Sequence, residues 1–262
     1  MKFLIWILSL VALGLGLTIL AAGPGTQSGF WDYSTGLNMM FTAARPITIV
    51  DGVVSLSPVF TAAGLALIGG VLAFFLGAGR TGMFAIVAAL IAGGAGMVPM
   101  KMRELVQANP FIHEVTTDFS DPPPIIAAAD LPRKNPPEYL GSEKVRDSEV
   151  TVAEAQQQAF PDIQPQLIVG TVDENAEIVM RILDSMGMEI LSNAPTDDGW
   201  LIEAAETSRW FGFVDDFVVR LRQEGAMTRI DVRSKSRVGG SDLGANARRT
   251  RAFYDKLELA TA

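Results

Sequence analysis

The sequence predicts an α+β fold, in which an antiparallel sheet with helices packed on one face follows an all-α transmembrane region of three helices. Three observations lead to this prediction. Uncharged apolar stretches crowd the first hundred residues, strand-like stretches with alternating side chains follow one another near the end, and helical patterns flank them. We therefore divide the chain into a transmembrane region, residues 1–103, and a soluble α+β domain, residues 104–262.

The transmembrane region has five basic and two acidic side chains over residues 1–103. Residues 3–22 form an uncharged run of 20 residues, which is long enough to cross roughly 30 Å of hydrocarbon. Residues 58–79 and 83–100 are the second and third predicted spans, and the short connection between them predicts a helical hairpin. The first run also fits a cleavable signal peptide, but its length favours a retained helix.

Glycine is frequent in the second and third spans, which predicts close packing of these helices with each other and with the first. A channel or transporter is the less favoured interpretation, because no charged residue lies within the three spans. An odd number of spans places the amino terminus and the soluble domain on opposite sides of the membrane. The leader-like start, Lys2 followed by an apolar run, places the soluble domain outside the cytoplasm.

The soluble domain opens with a short strand and then a loop that contains three consecutive prolines. The predicted elements are a strand at 112–117, a surface loop at 127–150, a helix at 151–159, a strand at 167–169, a helix capped by Asp173 and ended by Gly187, strands at 188–191, 200–206, 213–222 and 227–237, and a last helix capped by Ser241 or Asp242. From residue 166 this order is β-α-β-β-β-β-α. Adjacent strands with few helices between them favour an antiparallel sheet.

Four stretches carry a resemblance to a known family: NPFIHEVTTDFSDPPPI at 109–125, AFPDI at 159–163, ETSRWFGFVDDFVVRLR at 206–222 and RIDVRSKSRVGGSDLGANARRTRAF at 229–253. Over about residues 105–258 the chain resembles the domain of unknown function 1499 family, which occurs in bacterial membrane proteins and lipoproteins and in plastids. The resemblance implies a shared fold and a membrane-associated setting, and it transfers no catalytic residue. With the leader-like start, we expect an integral protein of the bacterial inner membrane whose soluble domain lies on the periplasmic side.

The composition excludes several kinds of site. The chain has no cysteine and one histidine, His113, so disulfides, thiol catalysis and cysteine-ligated zinc are excluded, and a histidine-rich metal site nearly so. The formal net charge of −8 hides a split: residues 104–208 carry 5 basic and 20 acidic side chains, whereas residues 209–256 carry 11 and 6. Such an asymmetry of charge bears on binding partners and solubility, and not on the fold.

Alternation along the two strands predicts one basic sheet face opposite a core face. Its members are Arg220, Arg222, Arg229, Arg233, Lys235 and Arg237, with Arg248, Arg249 and Arg251 near the rim. One interpretation is an anion site for anionic lipid or an acidic membrane protein, since arginine binds phosphate or carboxylate through two donors. The other is internal salt bridging by the many carboxylates of the domain. Nucleic acid is not an expected partner, because no aromatic residues are interleaved with these arginines.

Four carboxylates form the second candidate site: Glu114, Asp118, Asp121 and Asp162. Such groups can ligate Ca²⁺ or Mg²⁺ or act as an acid/base pair. The competing interpretation is that they cap turns in a proline-rich loop. The sequence assigns no catalytic residue and no cofactor.

These patterns predict a membrane-anchored extracytoplasmic binding or scaffolding module in the lipid bilayer, which engages anionic lipid or an acidic envelope partner through the basic sheet face. The alternative is a carboxylate-dependent envelope hydrolase or metal-binding enzyme. The two interpretations differ in what surrounds the charged residues. An interaction module needs open arginines, whereas an enzyme needs convergent carboxylates.

Overall fold

The computed structural model describes residues 1–50 and 54–261. The chain divides into two compact units. Unit 1 comprises Met1–Glu104 with Arg209–Gly212, and unit 2 comprises Leu105–Ser208 with Phe213–Ala262.

Unit 1 is built from helices and one small hairpin. Its elements are α1 (Lys2–Gln27), α2 (Tyr33–Ala44), β1 (Ile47–Val50), β2 (Val54–Leu56), α3 (Pro58–Phe75) and α4 (Gly79–Ala108), of which the last continues into unit 2. Helices α1, α3 and α4 are long and apolar enough to cross a membrane, which confirms the three predicted helices. The sequence patterns did not predict α2 or the hairpin, because their residues are neither strongly periodic nor continuously apolar.

Glycines let α3 and α4 approach closely. A Cβ atom on Gly82 would lie 2.8 Å from the carbonyl oxygen of Gly70, and one on Gly70 would lie 3.0 Å from the carbonyl oxygen of Gly82. Neither position has room for a larger side chain unless the helices move apart. Small residues allow this kind of contact where lipid provides no hydrophobic drive for association.

Unit 2 is built around one six-stranded sheet, with helices before, between and after its strands. The elements are β3 (Glu114–Thr116), α5 (Val152–Ala159), β4 (Gln166–Val169), α6 (Val172–Ser185), β5 (Glu189–Thr196), β6 (Gly199–Thr207), β7 (Val214–Glu224), β8 (Met227–Ser236) and α7 (Ala245–Thr261). The strand order is β3-β8-β7-β6-β5, and β4 pairs with β8 beyond the end of β3. Every pairing is antiparallel, so the predicted α+β fold is confirmed.

Helices α6 and α7 cover one face of this sheet. Their apolar residues, among them Leu183 and Phe253, pack against Phe217, Val219 and Leu221 of β7. This arrangement follows from the helical spacing of apolar residues on α6 and the alternation on β7. The main core of unit 2 lies between these helices and the sheet.

The residues that cap α6 and α7 agree with the sequence prediction for one helix and differ from it for the other. Asp242 lies just before α7, and its carboxylate accepts the N–H groups of Gly244 and of Asn246 in the first turn, as expected of the predicted capping residue. Asp173 was predicted to cap α6, and that prediction is wrong. The cap is Thr171, whose side chain and that of Glu174 bond each other's backbone in a capping box.

An irregular segment covers the other face of the sheet. Residues 118–140, which we call the strap, contain no helix or strand. Ile125 and Ala128 of the strap pack against Leu201 and Val218 of the sheet. The prediction of a surface loop is therefore wrong for its first part, because Ala128 is fully buried.

Candidate functional site

The basic residues of β7 and β8 share one sheet face, and that face lies under the strap. The register pairs Arg222 with Arg229, Arg220 with Asp231, and Val218 with Arg233. The alternate residues of the same strands belong to the helix-covered core. Alternation therefore placed the basic row on a single face, as the sequence predicted.

Three arginines and three aspartates meet where the strap begins. Arg220 donates to the Asp121 carboxylate at 3.0 Å and to the Asp231 carboxylate at 3.1 Å. Arg222 reaches the same two aspartates at 2.8 and 3.0 Å. Arg229 donates to Asp231 and, at 3.1 Å, to Asp118. These contacts join six residues into one cluster, which we call the arginine corner: Arg220, Arg222, Arg229, Asp118, Asp121 and Asp231.

Glu114 organises the opposite end of the strap. Its carboxylate accepts Arg233 at 3.0 Å, Lys235 at 3.2 Å and the backbone N–H of Leu140 at 2.9 Å. The two cations then donate onward to strap carbonyl oxygens, Arg233 to Pro137 at 2.8 Å and Lys235 to Glu138 at 2.7 Å. All three charged side chains are buried.

Asp216 holds the middle of the strap through two more arginines. Arg237 donates to its carboxylate at 2.8 Å, and Arg133 of the strap does so at 3.0 Å. Arg133 also donates to the backbone oxygens of Ala128 and Asn135, within the strap itself. One sheet carboxylate thereby fixes a turn of irregular backbone.

Glu203 of β6 binds three consecutive backbone N–H groups of the strap. Its carboxylate oxygens lie 3.0 Å from the nitrogen of Ile126, 2.7 Å from that of Ala127 and 3.2 Å from that of Ala128. Glu203 is buried and forms no ion pair among the described residues. Its negative charge is compensated by backbone dipoles, which bind anions in this arrangement.

The composition of the strap explains why the covered face is charged. Six of its 23 residues are proline, so the strap has fewer N–H donors than carbonyl acceptors. A buried backbone group without a partner is costly, and an irregular segment cannot pair with itself as a helix does. Arginine and lysine are pure donors and supply what the strap lacks. Glu114 and Asp216 each face two cations, and the surplus positive charge lies against strap carbonyls.

All six residues of the predicted anion surface lie next to carboxylates. Arg220, Arg233, Lys235 and Arg237 are buried, and this arrangement matches the internal salt-bridging interpretation. Only Arg222 and Arg229 keep appreciable side-chain exposure, 23% and 26%. Anion binding by this face stays a prediction.

The three later arginines do not line the rim of this face. Arg248, Arg249 and Arg251 lie on α7, which packs against the opposite side of the sheet, so their predicted position is wrong. Arg249 pairs with Glu206 and Asp215 there. The prediction failed because the chain crosses to the other face between β8 and α7.

The four carboxylates of the second candidate site do not converge. Glu114 lies at one end of the strap, Asp118 and Asp121 lie at the arginine corner, and Asp162 pairs with Arg251 of α7 at 2.5 Å. Within residues 1–50 and 54–261, no group of three or more histidine or carboxylate side chains is placed to hold a metal ion. Asp118 does cap a turn, accepting the N–H groups of Ser120 and Asp121.

Burial shifts the proton affinity of several groups on this face. It lowers the pKa of Lys235 to about 8, although the Glu114 carboxylate opposes the shift. Burial alone would raise the pKa of Asp118, but hydrogen bonds from Asp121 and Ser120 bring it below its usual value. Burial raises the pKa of the Tyr139 phenol, whose ring lies under the Arg233 guanidinium. The strap therefore depends on a defined charge state of the face beneath it.

Sequence reasoning missed Glu203 and Arg133 as members of this site. The contacts of Glu203 and Arg133 join residues more than 70 positions apart, so no local pattern shows them. One signal was present. Alternation places Glu203 on the same strand face as Leu201 and Ala205, and a lone carboxylate on an apolar strand face requires a partner.

The comparisons with known proteins give one match. A family described as "Protein of unknown function (DUF1499)" matches residues 114–257, which include the whole sheet, the strap and most of α7. No curated protein and no solved structure matches the chain.

Proposed function

The chain belongs to the DUF1499 family, and we propose that it is a membrane-anchored, extracytoplasmic binding or scaffolding module. The anchor is unit 1, with its three membrane-capable helices. The proposal concerns the folded unit 2. The odd number of spans and the leader-like start support an extracytoplasmic position for unit 2.

The strap is the observation that supports a binding role. Irregular segments of more than about 12–15 residues are uncommon in compact domains and usually carry function. This one spans 23 residues and is fixed along its length by charged side chains of a rigid sheet. Binding residues are commonly carried by loops that a rigid scaffold positions. The strap presents an apolar side chain outward, since Ile126 is 62% exposed.

A matched pair of variants tests this role. The full chain, captured from native membranes after crosslinking in intact cells, should bring down a partner that Ile126→Glu loses. Leu259→Glu is the control, because Leu259 of α7 is 81% exposed and lies on the other side of the sheet. Identical partners for wild type and both variants would contradict a role for the strap.

Cysteine labelling tests the compartment. Because the chain has no cysteine, single cysteines report one position each. Ser142→Cys in unit 2 should react with a membrane-impermeant maleimide in intact cells, whereas Arg80→Cys at the start of α4 should not. The reverse pattern would place unit 2 in the cytoplasm.

One observation supports binding of anionic lipid or an acidic partner through the basic face: the side chains of Arg222 and Arg229 are partly exposed. One observation opposes it: both arginines already form ion pairs with Asp118, Asp121 or Asp231. Flotation of the full chain with anionic vesicles tests it, using Arg222→Gln/Arg229→Gln and the control Arg146→Gln/Arg248→Gln. A loss confined to the first pair would support anion binding, and equal behaviour of the two pairs would remove it.

A further inference from the structure

A groove lies between α6 and the β5–β6 hairpin of unit 2, away from the strap. Its volume is about 460 Å³, within the range of ordinary ligand sites. The lining residues are Asp173, Ala176, Glu177, Met180, Arg181, Asn193 and Trp200. The indole N–H of Trp200 donates to the Asn193 side-chain oxygen at 2.5 Å, which fixes the ring at one wall.

The surface around this groove is strongly acidic. Residues 166–208 contain nine acidic side chains and a single basic one, Arg181. Two of the nine, Glu203 and Glu206, bind the strap and Arg249. The other seven are exposed: Asp173, Glu174, Glu177, Asp184, Glu189, Asp197 and Asp198. Arg220, Arg233, Lys235 and Arg237 are buried on the opposite face of the sheet, under the strap.

We propose that this groove binds a basic segment of a partner protein, with an arginine or lysine side chain laid against Trp200. Charge complementarity selects this occupant, because the groove faces an acidic surface and offers an aromatic wall. A cation is attracted to the face of an indole ring, and tryptophan is enriched among residues that dominate interfaces. The surrounding carboxylates steer a cationic partner toward the site.

Part of this acidity has a local explanation. Asp173 and Glu174 lie in the first turn of α6, where carboxylates interact favourably with the helix dipole, and Glu174 completes the cap. That explanation does not extend to Glu177, Asp197 or Asp198. Arg181 lies in the groove at 4.0 Å from Glu177, and both side chains are largely exposed. Arg181 is thus a resident cation that a partner's cation displaces.

The proposal adds a surface to the binding role of unit 2 and does not depend on the strap. The test uses the full chain in zwitterionic nanodiscs and a fluorescent nona-arginine peptide as the probe. Asp173→Asn/Glu177→Gln should weaken binding about tenfold, which corresponds to about 1.4 kcal/mol. Arg181→Ala should tighten it. Trp200→Leu should weaken binding more than Trp200→Phe, because phenylalanine keeps an aromatic face.

The control pair is Asp147→Asn/Glu149→Gln, which removes the same charge from exposed side chains elsewhere in unit 2. The control should leave the dissociation constant near that of the wild type. Equal weakening by the control and the groove pair would show general attraction to an acidic protein and overturn the proposal. Capture of a strap-dependent partner would be unaffected by that result, so the two proposals fail separately.

Discussion

The two faces of the sheet in unit 2 are covered in different ways. Phe217, Val219 and Leu221 of β7 face the helices, whereas Arg220 of the same strand faces the strap. A helix satisfies its own backbone, so the sheet beneath it can be wholly apolar. The strap cannot, and the sheet beneath it supplies charged donors and acceptors. The apolar centre of one face and the charged centre of the other therefore follow from the regularity of the segment that covers each.

The faces also differ in how they should respond to substitution. On the helix face, stability comes from burying apolar surface. A smaller side chain therefore lowers the free energy of unfolding through the buried surface that is lost and the cavity that is left. On the strap face, removing one partner leaves a buried charge or a strap backbone group without a bond. The stability of a variant should therefore depend on side-chain volume on the helix face, and on hydrogen bonds and ion pairs on the strap face.

The largest expected effect on the strap face is that of Glu114→Ala. It leaves Arg233 and Lys235 buried with no carboxylate, and breaking a buried pair in this way costs about 3–5 kcal/mol. Pulse proteolysis of the full chain, read on fragments of unit 2, measures the free energy of unfolding. Phe217→Ala on the helix face should cost a similar 3–5 kcal/mol through its cavity.

Glu114→Gln separates bonding from charge at the same site. Glutamine keeps the shape and one acceptor, but it cannot neutralise two cations, so most of the loss should persist. A glutamine variant as stable as the wild type would mean that the charge of Glu114 is unimportant. The asymmetry between the two faces would then disappear at this position.

The next effect concerns Glu203→Leu, which conserves much of the volume and removes the acceptor for three strap N–H groups. Hydrogen bonds to a charged group contribute about 1.5–3 kcal/mol each, and the strap relaxes in part, so we expect a loss of about 3 kcal/mol. Hydrogen exchange at Ile126, Ala127 and Ala128 should accelerate. Glu206→Gln, on the same strand with its side chain 44% exposed, should leave these amides protected.

Much of the fold was predictable from local patterns. Alternation on β7 and β8 gave both faces correctly, and the capping residue Asp242 marked the start of α7. The end of β5 was missed, because Pro195 suggested a turn. The strand instead runs through that residue to Thr196 as an edge strand, where the absence of an N–H is harmless.

The site was predictable only in part, for a physical reason. The basic row is visible in the sequence, but its partners Asp121, Glu114 and Asp216 lie about 20 to 120 residues away. Proline clusters signalled irregular structure without showing that it would be buried. Whether a charged face is open or covered depends on this long-range packing, and the single sequence does not contain that information.

The pH dependence of Lys235 separates the two faces, since Phe217, Val219 and Leu221 of the helix face do not titrate. Its folded pKa, about 8, lies below the ordinary 10.5, so between these values the unfolded chain binds more protons. Stability should therefore rise with pH across that window. The free energy of unfolding of the wild type minus that of Lys235→Met isolates the effect, because the two chains share every other titratable group. A difference independent of pH from 8 to 10 would contradict the lowering of the Lys235 pKa by burial.

The smallest effect is expected for Asp162→Asn. Its pair with Arg251 is exposed, with side-chain exposures of 52% and 40%, and lies away from the strap. Surface pairs contribute about 0–1 kcal/mol, and salt screens them. Denaturation should show a change below about 1 kcal/mol that shrinks at high salt. A loss comparable to that of Glu114→Ala would show that ion pairs stabilise unit 2 without regard to the strap.

The central claim is that the charges of this face exist to bond the strap backbone. Replacing a buried ion cluster by apolar residues of similar size is often neutral or stabilising. The variant Glu114→Leu/Arg233→Met/Lys235→Met removes every charge of one cluster together, and hydrogen exchange at Tyr139 and Leu140 reads the strap above it. The account predicts lost protection and lower stability, because Leu140 N–H and the carbonyls of Pro137 and Glu138 lose their partners. Unchanged protection in a variant at least as stable as the wild type would contradict it.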